Sequence, residues 1–161
     1  MAQNFAIGQS LLVANTINPR NDSAVRTGDY VTLGRSHKGF FACHVTQGGA
    51  AMTLSILQGT NTSGAGSKAL ANNARIWLIN DITIANPVPV RQADGVAFTT
   101  DAVASTKIII FEVDPAMMDL VNAFTSVTVQ TNGSGSGNTL SVVFWATTRS
   151  AEDQAASPRV N

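Results

Sequence analysis

The sequence predicts an all-β protein, an antiparallel β-sandwich of jelly-roll type with one short helix or helical turn. About eight short segments alternate apolar and polar residues, and turn-forming residues separate them every eight to twelve positions. Only one segment carries apolar residues at helical spacing. A chain of 161 residues fits a single domain that is long enough to bury a real core.

The first part of the chain predicts a loop-rich start followed by a hairpin. The stretch 10-SLLVANTI-17 is compatible with a strand, and 18–29 has loop chemistry. In 30–47 two strand-like pieces follow, and the second alternates apolar and polar residues with a period of two. The stretch 48-GGAA-51 predicts a tight turn before another alternating segment, so residues 40–58 are predicted to form a β-hairpin.

The middle of the chain predicts three strands and the helical turn. Residues 61–74 are predicted to be a polar loop with a short turn that is compatible with a helix. The segment 75–90 has apolar residues on both faces, as in a strand buried on both sides, until prolines end it. A short strand is predicted at 95–101. The stretch 105-STKIIIFEVDP-115 is the strongest central-strand signal, because it is β-branched and apolar. Residues 116–124 have the helical spacing.

The run 132-NGSGSG-137 lies between two alternating segments, 126–131 and 139–148. A phosphate-binding loop would lead from a strand into a helix with a lysine close by, and here the next element is a strand without one. The run is therefore predicted to be a hairpin tip. The stretch 59-GTNTSGAGSK-68 fails the same comparison, since Lys68 lies too far along from Gly64.

No side-chain constellation in the sequence indicates catalysis, a metal or a cofactor. His37 and His44 have no nearby carboxylate pair. Cys43 and His44 are adjacent, so on a strand they point to opposite faces, and Cys43 is predicted to be a small core residue. Glu112 and Asp114 share one face of a strand, where they are compatible with a cation or with an ordinary strand end. The chain is predicted not to be an enzyme.

The composition narrows the possible partners. Only 12% of the residues are charged, and ten basic residues balance ten acidic ones, so there is no basic field for nucleic acid. The sequence shows no long apolar segment for a membrane and no secretory signal, which predicts folding in a cytoplasm. So few charges fit either a small neutral domain or a surface that other subunits cover.

Three ordered blocks resemble a pattern in small structural proteins of tailed bacteriophages. They are 52-MTLSILQGTNTSGAGSKAL-70, 108-IIIFEVDPAMMDLVNAFTSVTVQT-131 and 139-TLSVVFWATTRSA-151. The resemblance covers about residues 30–151 and includes no catalytic motif. The family ending of Gly-Asp/Pro-Arg-Tyr type is here Thr148-Arg149-Ser150.

This resemblance implies a virion protein, most closely a capsid decoration (cement) protein that assembles in the bacterial host cytoplasm. Its expected partners are the major capsid protein and further copies of itself in a homotrimer. Residues 1–27 are predicted to be an extended N-terminal arm, 28–151 the β-sandwich and 152–161 a flexible C-terminal tail. The predicted contacts with the capsid or a subunit lie in the arm: Phe5, Ile7, Leu11, Leu12, Val13, Ile17 and Arg20.

Two other functions stay open at this point. A tail or fibre module with the same fold would bind a receptor or a carbohydrate through exposed aromatic residues. The chain offers few of these, with one tyrosine and two tryptophans. An esterase-like β fold would need a nucleophile beside a base, and no such pair is evident.

Overall fold

The computed structural model describes residues 11–33 and 36–148, and these form eleven β-strands. The strands are β1 (Leu11–Asp22), β2 (Val31–Thr32), β3 (Ser36–Thr46), β4 (Thr53–Gly59), β5 (Lys68–Ala69), β6 (Arg75–Ile79), β7 (Val90–Arg91), β8 (Ala97–Thr99), β9 (Thr106–Val113), β10 (Ser126–Thr131) and β11 (Gly135–Thr148).

The strands form two antiparallel sheets. The larger has six strands in the order β1-β11-β3-β9-β6-β7. The smaller has the order β2-β10-β4-β5, and β8 also pairs with β4. The predicted all-β sandwich is confirmed.

The core lies between the two sheets, and the alternation of each strand supplies it. On β9, Ile109, Phe111 and Val113 are fully buried, and the register places Phe41 of β3 opposite Phe111. This confirms β9 as a central strand. Each fully buried large aliphatic or aromatic side chain stabilises the fold by about 1.5–3 kcal/mol relative to exposure. The fully buried apolar residues of the other long strands are Phe41, Cys43, Val45, Leu54, Ile56, Val127, Val129, Val142, Phe144 and Ala146.

Residues 11–22 are an integral strand, which corrects the predicted arm of residues 1–27. β1 pairs with β11 over its whole length, with Leu12 opposite Ala146 and Ile17 opposite Val142. Leu12 and Ile17 are buried against the core. The alternation of this strand was visible in the sequence, but its asparagines and its proline resembled a loop. Residues 1–10 and 152–161 lie outside the described residues.

The predicted hairpin at 40–58 is wrong. β3 pairs with β11 and β9 in the larger sheet, whereas β4 pairs with β10, β5 and β8 in the smaller one. Residues 47–52 therefore cross from one sheet to the other. A period-two pattern identifies the buried face of a strand but not its partner, so two consecutive strands on opposite sheets look like a hairpin.

The predicted hairpin tip at 132–137 is wrong as well: residues 132–134 cross between the sheets, and β11 begins at Gly135. β10 belongs to the smaller sheet and β11 to the larger. The two crossings pack side by side at one end of the sandwich. The amide of Gly48 donates to the Asn138 side chain at 2.8 Å, and Asn138 donates to the carbonyl of Ala50 at 2.8 Å. A Cβ on Gly48 would lie 2.5 Å from the Gly137 carbonyl oxygen, so this close packing requires glycine.

Two other predicted elements are shorter than the sequence suggested. The segment 75–90 forms β6 only as far as Ile79, because Asp81 accepts from the amide and the hydroxyl of Thr83 in a turn. The predicted helical segment contains two 3₁₀ turns, Pro115–Met117 and Leu120–Asn122. The side chains of Asp114 and Asp119 cap them by accepting from backbone amides.

Candidate docking surface

The predicted contact residues separate into three groups. Phe5 and Ile7 lie outside the described residues, and Leu11 begins β1 with a side chain that the structure does not describe. Leu12 and Ile17 are buried core residues, which corrects their prediction as capsid or subunit contacts. Val13 is 58% exposed, and Arg20 is also exposed, so within the described residues only these two predicted contacts are open to a partner.

The solvent-facing side of the larger sheet carries an apolar cluster, made of Phe40, Trp77, Ile110 and Trp145. We call it the outer aromatic face. These residues come from four different strands, and each is partly buried. The register brings them together: Trp145 is opposite Phe40, and Ile110 is opposite Trp77. Since side chains alternate along a strand, their inward neighbours fill the core while these four residues face outward.

The outer aromatic face contains a shallow groove of about 320 Å³, which Pro89 and Glu112 also line. The rings of Phe40 and Trp145 are stacked, with centroids 5.7 Å apart and planes 22° apart. Aromatic pairs of this kind contribute about 0.5–1.5 kcal/mol beyond the area that they bury. The groove therefore has an aromatic wall that is built on paired strands of the larger sheet.

Charged groups border the outer aromatic face and are paired with one another. Glu112 is only 6% exposed, and its carboxylate accepts from Lys38 and, at 3.1 Å, from Arg75. The Arg91 guanidinium lies 4.8 Å from the centre of the Trp77 ring and also pairs with Asp94. Each of these charges has a partner of opposite sign, although Glu112 pairs with two cations, so one net positive charge remains at this border. The face itself presents apolar area.

Two exposed valines extend the outer aromatic face toward the edge of the sheet. Val13 of β1 is opposite Trp145, and Val143 of β11, 37% exposed, is opposite Ala42. The apolar surface thus spans from the edge strand β1 to β6. A contiguous apolar area on a protein surface marks an interaction site more often than isolated exposed residues do.

The sequence analysis missed this surface, although a signal for it was present. Residues 75–79 and 139–148 carry apolar residues on both faces, a pattern that also fits a strand buried on both sides. The sheet order resolves the ambiguity, because in the described structure the second sheet covers only one face of the larger sheet.

The described residues place no reactive groups together. Cys43 is fully buried, and burial raises the pKa of its thiol, while His44 is exposed on the opposite face, as predicted. Glu112 pairs with Lys38 and Arg75, and the Asp114 side chain accepts from the Ala116 amide in a 3₁₀ turn. Within residues 11–33 and 36–148, no three His, Cys, Asp or Glu side chains form a group that could hold a metal ion. No helix in this part of the chain is long and apolar enough to cross a membrane.

Comparison with known proteins gives a likeness of fold. The chain matches no protein-family model, and a search of curated proteins finds no match either. Among solved structures, the crystal structure of the SPBc2 prophage-derived protein YomS is similar, with a TM-score of 0.50 and 9% sequence identity. The alignment covers 84% of this chain and 91% of that chain. At this identity the similarity concerns the fold alone.

Proposed function

We propose that this chain is a structural protein of a tailed-phage virion, a capsid decoration protein that binds the head surface and stabilises the shell. The observation that carries the proposal is the outer aromatic face, an apolar surface on a rigid sheet that is suited to binding another protein. The fold of the chain is also similar to that of a prophage-derived protein. The three phage-like sequence blocks point to the same class.

The outer aromatic face would supply the central contacts of the docked protein. Aromatic residues in the middle of an interface contribute most of its binding energy. Val13 lies beside Trp145 in the sheet register, so the exposed part of β1 belongs to the same surface. Phe5 and Ile7 precede β1 and stay proposed contacts of the N-terminal segment.

The proposed partners are the major capsid protein and further copies of this chain in a homotrimer. Many copies bound to one shell stabilise it even where a single contact is weak. The charges around the outer aromatic face are paired within the chain, so apolar contacts would dominate the interface. Binding should therefore resist salt better than a charge-steered complex does.

Co-sedimentation with phage heads that lack the protein tests this function. We expect bound protein to reach a fixed number of copies per head and to stay bound when NaCl is raised to about 1 M, where the screening length falls to about 3 Å. Mass measurement of the free protein tests the homotrimer separately. Failure to sediment with heads at any salt concentration would refute the decoration role.

A tail or fibre module that binds a carbohydrate is the second candidate. The observation that favours it is the groove of about 320 Å³ between Trp77 and Trp145, since aromatic rings beside a shallow groove can stack on sugar rings. A glycan array separates the two functions. Selective glycan binding that a Trp77→Ala variant loses, without binding to heads, would favour this candidate.

A further inference from the structure

A polar cleft lies between β1 and the segment that follows it, away from the outer aromatic face. Its volume is about 330 Å³, and its polar lining residues are Thr16, Asn18, Arg20, Arg26, Thr27 and Asp29. Arg20 is opposite Leu140 in the sheet, whereas Val13 is opposite Trp145. Their partners on β11, Trp145 and Leu140, are five residues apart, which corresponds to about 17 Å of extended strand. The cleft is therefore a separate feature of the surface.

The two arginines of this cleft differ from the other cations that the structure describes. Lys38, Lys68, Arg75, Arg91 and Lys107 each form an ion pair with a carboxylate of the chain. Among the described residues, Arg20 and Arg26 are the only lysines or arginines outside these pairs. Both line the same cleft, which therefore holds the two described cations that form no ion pair with a described carboxylate.

Arg26 is held in place at its backbone and has an unpartnered Nε atom in its side chain. Its amide donates to the Thr131 hydroxyl at 3.0 Å, and its carbonyl accepts from the Thr131 amide at 2.8 Å. Its Nε atom is buried and has no hydrogen-bond partner. A buried donor without an acceptor is unfavourable, so an acceptor that entered the cleft would remove this cost.

A third donor is available at Thr27. Its hydroxyl oxygen accepts from the Gln130 side chain at 2.8 Å, which leaves its hydroxyl hydrogen free to be donated. Two guanidinium groups and one hydroxyl therefore border the cleft. Guanidinium groups bind carboxylates through paired hydrogen bonds that are stronger than neutral ones.

We propose that this cleft binds a carboxylate side chain of a partner protein. Arg20 and Arg26 line the cleft without a carboxylate partner among the described residues, so a carboxylate that entered it would meet two guanidinium donors. The walls accommodate a side chain of the size of glutamate. This inference depends on the cleft alone and goes beyond the proposed docking through the outer aromatic face.

Nuclear magnetic resonance of the arginine Nε–Hε groups tests the site directly. The probes are the peptide acetyl-Ala-Glu-Ala-amide, its Gln counterpart and sodium acetate, each compared with NaCl at equal ionic strength. We expect saturable shifts of the Arg20 and Arg26 signals with the Glu peptide, and about tenfold weaker binding of the Gln peptide. The Arg75 and Arg91 signals should stay unchanged.

Variants exclude a general effect of charge. Arg20→Gln removes an exposed side chain and should weaken binding of the Glu peptide about tenfold, whereas the matched control Arg91→Gln should bind as the wild type does. Arg26→Lys tests the second arginine while it keeps the charge. Equal shifts with the Gln peptide or NaCl, or unchanged binding by Arg20→Gln, would overturn the proposal. Saturation by acetate without any binding of the Glu peptide would also overturn it, because a free carboxylic acid would then be the ligand.

Discussion

Phe40 and Trp145 stack across β3 and β11 on the outer side of the larger sheet, and one residue along each strand Phe41 and Phe144 form a second pair on the inner side. The inner rings lie 4.8 Å apart, and the outer rings 5.7 Å apart. The same two strands therefore carry one aromatic pair for the core and another that faces solvent.

This arrangement predicts different roles for neighbouring residues. Phe144→Ala should lower the free energy of unfolding by about 3–5 kcal/mol, because it leaves a cavity in a fully buried position. Trp145→Ala should lower it by about 1 kcal/mol, since it mainly removes one stacked pair at the surface. Urea unfolding of both variants measures the difference. Equal losses would show that the outer pair is part of the core.

Truncation of the N-terminus should have two distinct outcomes. Removing residues 1–10 should leave the sandwich folded, because these residues precede β1. Removing residues 1–22 should abolish cooperative unfolding, since it deletes β1 and exposes the edge of β11 and the core residues that Leu12 and Ile17 cover. Thermal unfolding followed by circular dichroism distinguishes them. A cooperative transition in the longer truncation would support the prediction that the N-terminal residues form an arm independent of the sandwich.

Shortening the glycine-rich crossing should disrupt the fold. Asp22 is fully buried and accepts from the amide of Ser134 at 2.7 Å and from its hydroxyl at 2.6 Å. Replacing 132–137 by Asn-Gly should prevent folding, because it deletes Ser134, which donates to the buried Asp22, and Gly135, which is opposite Asp22 in the sheet. Asp22→Asn should cost about 1–3 kcal/mol, since an amide group would then face donors. The exposed control Ser136→Ala should be neutral, and a folded shortened variant would contradict the crossing.

A buried lysine predicts a dependence of stability on pH. Lys107 is fully buried, and its ammonium group lies 3.1 Å from Asp101 and 3.0 Å from the Asn80 side chain. The hydrogen bond from Lys107 holds the pKa of Asp101 below its ordinary value. Because the folded pKa is lowered, this stabilisation is complete above the unfolded pKa of about 3.9 and is lost as the pH falls through the folded value.

Asp101→Asn should therefore lower stability at pH 7 and flatten the decline in stability below about pH 4. We expect a loss of about 1–2 kcal/mol, less than for a fully buried pair, because the Asp101 side chain is 46% exposed. Lys107→Met should be better tolerated, since it leaves no charge in the core. Urea unfolding between pH 3 and pH 7 measures both variants. An unchanged pH profile in Asp101→Asn would contradict the role of this pair.

Much of the fold was predictable because alternation marks the buried face of each strand. The run 108-IIIFEV-113 identified β9 as central, and Cys43 was correctly assigned to the core. The partners of the strands were not predictable, because side chains of β3 and β4 show the same period whether the strands pair or face each other across the core. The glycine runs at 48–49 and 132–137 suggested turns, and long-range packing made them crossings instead.

The candidate site was only partly predictable. Val13 and Arg20 were expected to contact a partner and are exposed, but Leu12 and Ile17 were needed for the core. The outer aromatic face depends on a register between four strands that are far apart in sequence. Trp77 and Trp145 suggested core or interface residues, and only the sheet order shows that they meet on the solvent side.

The most direct measurement is the number of copies bound per head for variants of the outer aromatic face. Trp145→Ser and Ile110→Asp should unfold cooperatively as the wild type does but lose most binding to undecorated heads, because they remove apolar contacts or add a charge in the groove. The matched control Val121→Ser changes a side chain that is 96% exposed in a 3₁₀ turn, and it should bind at the wild-type level. Wild-type occupancy in both outer-face variants, measured by sedimentation and quantitative gel, would contradict docking through this surface.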